Sequence, residues 1–221
     1  MNILVGGLTG SGKTTLSKLL SKDLGLSFVS GSEIRAQFAS GKVPAEARKY
    51  WLFSAEAAEM DRLRLNDSRV DLLMDAHLRD LVITKSKQIF DVWFLPWLVA
   101  ENSLKVWLDC PLGVRARRIQ EALGLGPVES DLVYHKTSEK DERAQQFAQR
   151  TYGVDIFTDR SPFDVIISTE TETGVGLIHN VLRIIAENYF GVKKGERRLN
   201  SSSREGFDSV IQRCPPDLYP T

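Results

Sequence analysis

The chain has 221 residues, in which 29 basic side chains balance 29 acidic ones. This length suits one α/β domain with insertions, and the balanced charge gives no overall reason to expect a nucleic-acid or membrane partner. Two cysteines are too few for a disulfide framework, so we expect a cytoplasmic protein. No apolar stretch approaches the length of a membrane span, and residues 1–8 lack the basic region of a signal peptide.

The most informative stretch is residues 3–15, with the sequence ILVGGLTGSGKTT, in which residues 7–14 match the phosphate-loop pattern G-x-x-x-x-G-K-[ST]. A short apolar run precedes the loop and leucines at helical spacing follow it, so strand, loop and helix come in the required order. Glycines let backbone N–H groups approach phosphate oxygens, and the helix presents its positive end to the same point. The predicted nucleotide-binding residues are Gly7, Leu8, Thr9, Gly10, Ser11, Gly12, Lys13, Thr14 and Thr15.

A long helical segment separates the second strand from the third. Residues 26–30 are predicted to form the second strand, and Ser32 can then cap a helix. Apolar spacing predicts helices over residues 44–65 and 68–82. We expect the whole excursion, residues 32–86, to fold over an acceptor substrate.

Residues 88–95 form an apolar run containing one acid, Asp91, which indicates a buried strand with that acid near its C-terminal end. Such a carboxylate can hold the water shell of Mg²⁺ or orient an acceptor, whereas a structural acid with a local partner is the alternative. Lys13 is expected to reach the phosphates of ATP, and the Thr14 hydroxyl is expected to join the Mg²⁺ shell. Thr14 and Asp91 are therefore the predicted metal ligands.

A strand over residues 104–109 leads into a helix over residues 112–123 that carries Arg115, Arg117 and Arg118. Arginines on a short helix ending in glycines suit a lid that closes over ATP and offers positive charge to the transferring phosphoryl group. A solvated, charged helix face is the alternative interpretation. Together with the phosphate loop and the acid at a strand end, these arginines favour a small-molecule kinase.

Three further elements are predicted in order: a helix over 138–152, a last strand over 163–169 and a closing helix over 174–190. Five strands separated by helices predict an α/β fold with a parallel sheet and helices on both faces. We expect a kinase domain over residues 1–192, with a lid region at 115–140. The basic, serine-rich residues 193–221 are expected to form a flexible tail.

Four stretches carry a resemblance to a known family: GGLTGSGKTT at 6–15, LGLSFVSGSEI at 24–34, VWLDCPLGVRARRI at 106–119, and YGVD at 152–155 with FDVIIST at 163–169. They resemble the nucleoside monophosphate kinases, and most closely the cytidylate kinases of archaeal type. The phosphate loop is shared widely, so the later stretches carry the resemblance. It extends over residues 1 to about 185.

The resemblance implies a P-loop fold with a five-stranded parallel sheet, a helical acceptor-binding insertion and a small lid. It also implies γ-phosphoryl transfer from ATP to a nucleoside monophosphate, with Mg²⁺, and with Arg115 and Arg118 gripping phosphates. The catalytic candidates are Lys13, Asp91, Arg115 and Arg118. The substrate-binding candidates are Ser30, Ser32, Arg35, Asp71, Trp93 and Arg143.

The chain departs from the family pattern where the acceptor would bind. The family has E-G-R after its third strand, but this chain has D-V-W, so the indole of Trp93 replaces a guanidinium that grips phosphate. Arg35 is displaced by one position from the family's arginine, which moves it about a hundred degrees around a helix. Glutamines stand where arginines are expected before Tyr152, although Arg143 is near.

The expected function is ATP-dependent phosphoryl transfer to (d)CMP, giving (d)CDP. One alternative is a P-loop kinase acting on a nucleoside, a sugar or another hydroxylated metabolite, with Trp93 stacking on a ring. The other is a non-catalytic ATP-binding regulatory protein, against which the intact Lys13, Thr14 and Asp91 argue. The expected partner is a small-molecule acceptor, with no nucleic acid and no membrane, and the chain is expected to be a monomer or a homodimer.

Overall fold

The computed structural model describes residues 2–38, 68–100 and 103–170 of the chain. The strands are β1 (Asn2–Gly7), β2 (Ser27–Ser30), β3 (Gln88–Asp91), β4 (Ser103–Asp109) and β5 (Val165–Ser168). The helices, numbered over these residues, are α1 (Lys13–Leu24), α2 (Gly31–Phe38), α3 (Arg69–Thr84), α4 (Leu95–Leu98), α5 (Leu112–Leu123) and α6 (Ser130–Tyr152). A 3₁₀ turn, Pro127–Glu129, precedes α6.

The five strands form one parallel sheet in the order β2-β3-β1-β4-β5, which confirms the predicted sheet. Val5 of β1 lies opposite both Asp91 of β3 and Val106 of β4. Ser30 of β2 also pairs with Asp91. Because these strands run in the same direction, their carboxyl ends meet at one edge of the sheet. That edge brings the phosphate loop, which follows β1, next to the acid that ends β3.

Strand β1 is buried on both faces, as expected for the central strand of a parallel sheet. Ile3 and Val5 pack with Leu16 of α1 on one face, and Leu4 packs with Leu78 of α3 on the other. The continuous apolar run that predicted this strand therefore reflects helices on both sides. The two helices hold the start of the phosphate loop in a rigid frame.

A cluster of aromatic side chains joins α6 to the sheet. Phe94 lies with its ring centroid 5.4 Å from that of Phe147, and Trp97 lies 5.8 Å from Trp107 of β4. Trp107 is on the face opposite to its neighbour Val106, which packs with α1, because side chains alternate along a strand. Helix α6 is thus fixed on the α3 side of the sheet, beside the end of β3.

Two predicted elements have different bounds in the structure. Strand β3 ends at Asp91 rather than at residue 95, because the chain turns there and enters α4, with Pro96 in its first turn. Val92 and Leu95 are buried in that turn and helix, so the apolar run continues beyond the strand. Helix α6 begins at Ser130 rather than at residue 138, directly after the 3₁₀ turn.

Several predictions fall outside the described residues, namely the helix at 44–65, the closing helix at 174–190 and the tail at 193–221. The segment proposed as a lid, 115–140, comprises most of α5 and the first part of α6, and these two helices pack against one another. The proposed domain boundaries stay predictions. Within residues 2–38, 68–100 and 103–170, every helix is too short or too polar to span a bilayer.

Candidate active site

The phosphate loop has the backbone conformation that its glycines permit. Gly7, Gly10 and Gly12 have φ angles of 148°, 79° and 97°, a region that other residues rarely adopt. A Cβ at Gly10 would also lie 2.9 Å from the backbone oxygen of Arg115. The loop leads directly into the N-terminus of α1, whose first N–H groups have no partner within the helix. This arrangement fits the phosphates of a nucleotide.

Lys13 lies under the loop with 8% of its surface exposed. Its Nζ donates hydrogen bonds to the backbone oxygens of Gly7 at 2.8 Å and Leu8 at 3.0 Å. Burial lowers the pKa of Lys13, although the carboxylates of Asp91 and Asp141 act in the opposite direction. The ammonium is thus held against the loop by neutral oxygens, with anions near enough to favour its charge.

Thr14 Oγ1 donates a hydrogen bond to a carboxylate oxygen of Asp91. The first turn of α1 and the end of β3 therefore place two oxygen ligands side by side at the loop. Nowhere in the described part of the chain do three carboxylate, imidazole or thiol groups converge. A hydroxyl and one carboxylate, completed by phosphate oxygens and water, are what Mg²⁺ uses in sites of this kind. The residues present fit a magnesium–nucleotide complex.

A cavity of about 270 Å³ opens beside the loop. Its walls come from the loop itself, from α2, from α3, from the chain that follows β3, and from α6. Residues that contribute polar groups to it are Thr9, Lys13, Thr14, Ser32, Asp75, Asp91, Lys140 and Arg143. The cavity is thus continuous from the predicted nucleotide site to elements that the sequence associates with an acceptor.

Trp93 and two cations of α6 line this cavity. The Trp93 ring is half-buried, with its centroid 5.6 Å from Lys13 Nζ, and it packs edge-on against Phe94. Lys140 and Arg143 lie one turn apart on α6, as residues at this spacing share a helix face. The Arg143 guanidinium also lies 3.6 Å from Glu139. Positive charge therefore reaches the cavity from α6, whereas an indole occupies the exit of β3.

The other predicted substrate-binding residues are distributed differently. Ser32 lines the cavity, but Ser30 is buried and its Oγ accepts a hydrogen bond from the Glu33 N–H, so it caps the start of α2. Asp71 is buried on α3 outside the cavity lining. The side chain of Arg35 lies outside the described part of the structure.

Asp75, one turn after Asp71 on α3, is the acid that reaches the cavity. It accepts a 2.5 Å hydrogen bond from the Tyr152 hydroxyl, and both side chains are buried. Of these two acids only Asp71 was predicted to bind the substrate, although their spacing puts both on one face of the helix. Lys140 was also missed, and its spacing from Arg143 is the signal that could have identified it.

The guanidinium of Arg115 is buried and faces inward. It donates to Asp141 at 2.5 Å, to the backbone oxygen of Thr9 at 2.8 Å and to that of Cys110 at 2.9 Å. Asp141 was not predicted, and no local pattern indicates it because its partners are distant in sequence. The role predicted for Arg115 at the transferring phosphoryl group stays a prediction.

Arg118 belongs to α5, and its guanidinium lies near the carboxyl ends of β4 and β5. It donates to the backbone oxygen of Thr169 at 2.5 Å and approaches the Cys110 sulfur at 3.4 Å. The Thr169 hydroxyl in turn donates to the backbone oxygen of Ser11 at 3.2 Å. Arg118 is thus linked to the phosphate loop through one residue, and its predicted contact with phosphate also stays a prediction.

The sequence matches the family described as cytidylate kinase-like over residues 2–171. The chain belongs to the cytidylate kinase-like family. This confirms the resemblance found in the sequence, and the chain is accordingly an ATP-dependent phosphotransferase. ATP as the co-substrate follows from membership of the family.

Archaeal cytidylate kinases are among the relatives. The cytidylate kinase of Haloarcula marismortui is 31% identical over 195 residues, which cover 86% of this chain and 91% of the relative. That of Pyrococcus horikoshii is 31% identical over 170 residues, covering 76% of this chain and 79% of the relative. That of Methanosarcina barkeri is 28% identical over 193 residues, covering 86% and 99%. The similarity therefore extends well beyond the phosphate loop.

Solved structures resemble the fold at low sequence identity. The shikimate kinase of Bacteroides thetaiotaomicron superposes with a TM-score of 0.52 at 17% identity, covering 85% of this chain and 98% of that protein. An uncharacterized protein from Eubacterium ventriosum superposes with a TM-score of 0.61 at 10% identity, covering 85% and 98%. These similarities confirm the P-loop kinase fold and carry no information about the acceptor.

Proposed function

We propose that the protein transfers the γ-phosphoryl group of ATP to (d)CMP, giving (d)CDP and ADP. The observation that carries the proposal is one cavity that contains both the Thr14–Asp91 pair and the two cations of α6, Lys140 and Arg143. A kinase acting on a monophosphate needs two sets of phosphate-binding groups, one for the donor and one for the acceptor. The α6 cations supply the second set, so the chain retains an acceptor-phosphate site although Trp93 stands at the end of β3.

The chemistry requires positioning and charge more than proton transfer. A monophosphate has a second pKa of about 6, so at neutral pH its oxygen attacks the γ-phosphorus as an anion without a general base. In this role the loop N–H groups and Lys13 hold the phosphates of ATP. Mg²⁺, when bound at Thr14 and Asp91, would neutralise charge on those phosphates. The α6 cations would hold the attacking phosphate close to that centre.

A second candidate acceptor is an uncharged nucleoside, sugar or other hydroxylated metabolite. Trp93 favours it, because an indole offers a stacking surface in place of a phosphate-gripping guanidinium. A hydroxyl nucleophile would need a base, and Asp91, which lines the cavity beside Thr14, could act as one. The two proposals therefore assign different roles to Asp91 and to the α6 cations.

The deciding experiment is ADP release from ATP–Mg²⁺ with CMP, dCMP, UMP, AMP, GMP, the matching nucleosides and simple hydroxylated metabolites as acceptors. Lys13→Ala is the control, because it removes the phosphate-binding ammonium and should abolish transfer. Turnover confined to CMP and dCMP would support the proposal. Turnover only with uncharged acceptors would replace it with the second candidate. ATP binding without turnover on any acceptor would favour a non-catalytic regulatory protein.

Three further expectations accompany the proposal. Transfer should stop when EDTA removes Mg²⁺ and return when Mg²⁺ is restored. The protein should sediment as a monomer or a homodimer. A cytoplasmic location, expected from the two cysteines, can be checked by fractionating cells that express the protein.

A further inference from the structure

A buried carboxylate on α6 contacts the phosphate loop. Asp141 is only 2% exposed, and its two oxygens have different partners. One accepts a hydrogen bond from the backbone N–H of Thr9 at 3.1 Å, and the other accepts one from Arg115 at 2.5 Å. The loop residue and the arginine are therefore both tied to one side chain of a helix far away in sequence.

Arg115 closes the arrangement from α5. The same Nη1 that contacts Asp141 also donates to the backbone oxygen of Thr9 at 2.8 Å. Its Nε donates to the backbone oxygen of Cys110, at the start of the α5 connection, at 2.9 Å. Both polar groups of the Thr9 backbone are thus held, the N–H by Asp141 and the carbonyl by Arg115. Since Arg115 and Asp141 are only 4% and 2% exposed, the ion pair between them is shielded from water.

The position of Asp141 on its helix gives the contact a consequence for the site. Lys140 and Arg143, on either side of it, line the cavity, and Thr9 lines the same cavity from the loop. One helix therefore contributes both the cations of the acceptor side and the carboxylate that holds the loop. The distance between the donor phosphates and the α6 cations depends on this connection.

We infer that Arg115 and Asp141 are positioning residues that hold Thr9 in the nucleotide-binding conformation of the loop and fix the loop to α6. They act on ATP through the loop backbone. The inference rests on ATP as the phosphoryl donor and not on (d)CMP as the acceptor. Measurements of ATP binding without any acceptor therefore test it separately from the proposed reaction.

The first experiment compares Asp141→Asn with Glu142→Gln by calorimetric titration with ATP–Mg²⁺. Asn keeps an oxygen for the Thr9 N–H but removes the charge that pairs with Arg115. Glu142 is the matched control, because it is the next residue, exposed, and bonded only to Ser138 among the contacts described. We expect Asp141→Asn to weaken ATP binding about 10- to 100-fold, the range for a hydrogen bond to a charged group, and Glu142→Gln to leave it unchanged.

Circular dichroism at the titration temperature separates this effect from a general loss of folding. A folded Asp141→Asn protein that binds ATP like the unmodified chain would overturn the inference. Arg115→Lys keeps the charge, but its side chain is shorter and lacks the Nε–H that donates to Cys110, so it should hold Asp141 and Thr9 less well and weaken ATP binding too. Because the two residues act as one unit, the double variant should bind ATP only a little more weakly than either single variant. Losses that multiply in the double variant would show separate roles and contradict the inference.

Amide hydrogen exchange tests the inference in the unmodified protein, so this test does not depend on whether a variant folds. The Thr9 N–H should exchange slowly in the absence of nucleotide, because Asp141 accepts its hydrogen. An exchange rate equal to that of an unstructured peptide would overturn the inference, even if both variants are unfolded. In a folded Asp141→Asn protein the same amide should exchange faster, while amides in the middle of β1 keep their protection.

Discussion

The Thr14 hydroxyl donates a hydrogen bond to the carboxylate of Asp91, although Thr14 follows β1 and Asp91 ends β3. The parallel register places the end of β3 beside β1, so the acid and the start of α1 meet at the loop. Hydroxyl and carboxylate oxygens are ligands that a hard cation such as Mg²⁺ prefers. Their pairing is the most direct indication of where Mg²⁺ would be held.

Replacing Asp91 with Asn should raise the Mg²⁺ concentration needed for half-maximal transfer by about 10- to 100-fold, because a carboxylate near the metal is lost. Asp109→Asn is the control, since this exposed acid ends another strand of the same sheet, β4, but lies outside the cavity lining. The measurement is the initial rate against Mg²⁺ at fixed ATP. An unchanged Mg²⁺ dependence in Asp91→Asn would exclude this acid from the metal site.

Arg143→Gln and Lys140→Gln should each raise the KM for a monophosphate acceptor about tenfold, since a charge-assisted hydrogen bond to phosphate is lost. The KM for ATP should stay the same. Arg150→Gln provides the matched control, because this exposed arginine of α6 is not part of the cavity lining. Equal effects on CMP and on cytidine would argue that these cations do not read the acceptor phosphate.

Trp93→Ala should raise the acceptor KM by about 5- to 150-fold if the indole stacks on the acceptor ring, since base stacking on an aromatic side chain contributes about 1–3 kcal/mol. Trp93→Phe retains a ring and should lose much less. Trp93→Arg restores the guanidinium of the family pattern, and a gain in turnover of monophosphates would indicate a changed natural acceptor. If Trp93→Ala leaves the acceptor KM unaltered, stacking is not its role.

As the pH rises, the affinity for ATP should begin to fall at a lower pH than it would with an ordinary lysine, whose pKa is near 10.5. Burial lowers the pKa of Lys13, so rising pH removes its proton early and with it the charge that binds phosphate. Binding of anionic ATP then favours the protonated form, so a proton is taken up at alkaline pH. Calorimetry in buffers of different ionisation enthalpy measures this uptake. Lys13→Arg should abolish it, and uptake that persists in that variant would assign the proton to another group.

Tyr152→Phe should lower the free energy of unfolding by about 1.5–3 kcal/mol, because it removes a buried hydrogen bond to a carboxylate. Asp75 accepts that bond and lines the cavity, so the acceptor KM should rise as well. Tyr134→Phe, at the exposed beginning of α6, should change neither quantity. Urea denaturation and acceptor kinetics give the two readouts. A stability loss with normal acceptor kinetics would make the Tyr152–Asp75 contact purely structural.

The sequence predicted the parts of the site that depend on local pattern. The phosphate loop, α1 and the acid at the end of β3 follow from glycine positions and from continuous apolar runs, since a central parallel strand is buried on both faces. The same runs overestimated β3, because a buried turn and a short helix are as apolar as a strand. Leu95, for example, was predicted in the strand but is the first residue of α4.

Contacts between distant elements could not be predicted in this way. The partner of Arg115 is Asp141, on another helix, and nothing in the spacing of either residue identifies the other. Whether a helical arginine faces solvent, phosphate or a buried acid depends on how α5 and α6 pack. The surroundings of Trp93 could not be predicted for the same reason. Its ring lies near Lys13, which is distant in sequence, and against Phe94 at the start of α4.

Helix α6 is joined to the loop through Asp141 and to the sheet through the aromatic cluster around Phe147. We therefore expect the donor loop and the α6 cations to move together. A hinge movement that encloses the reactants would then be carried by α2, which bears Ser32, because α3 is itself joined to α6 through the Asp75–Tyr152 hydrogen bond. The acceptor would then be brought to a phosphate loop and an α6 surface that keep their relative positions, rather than being enclosed between two moving segments.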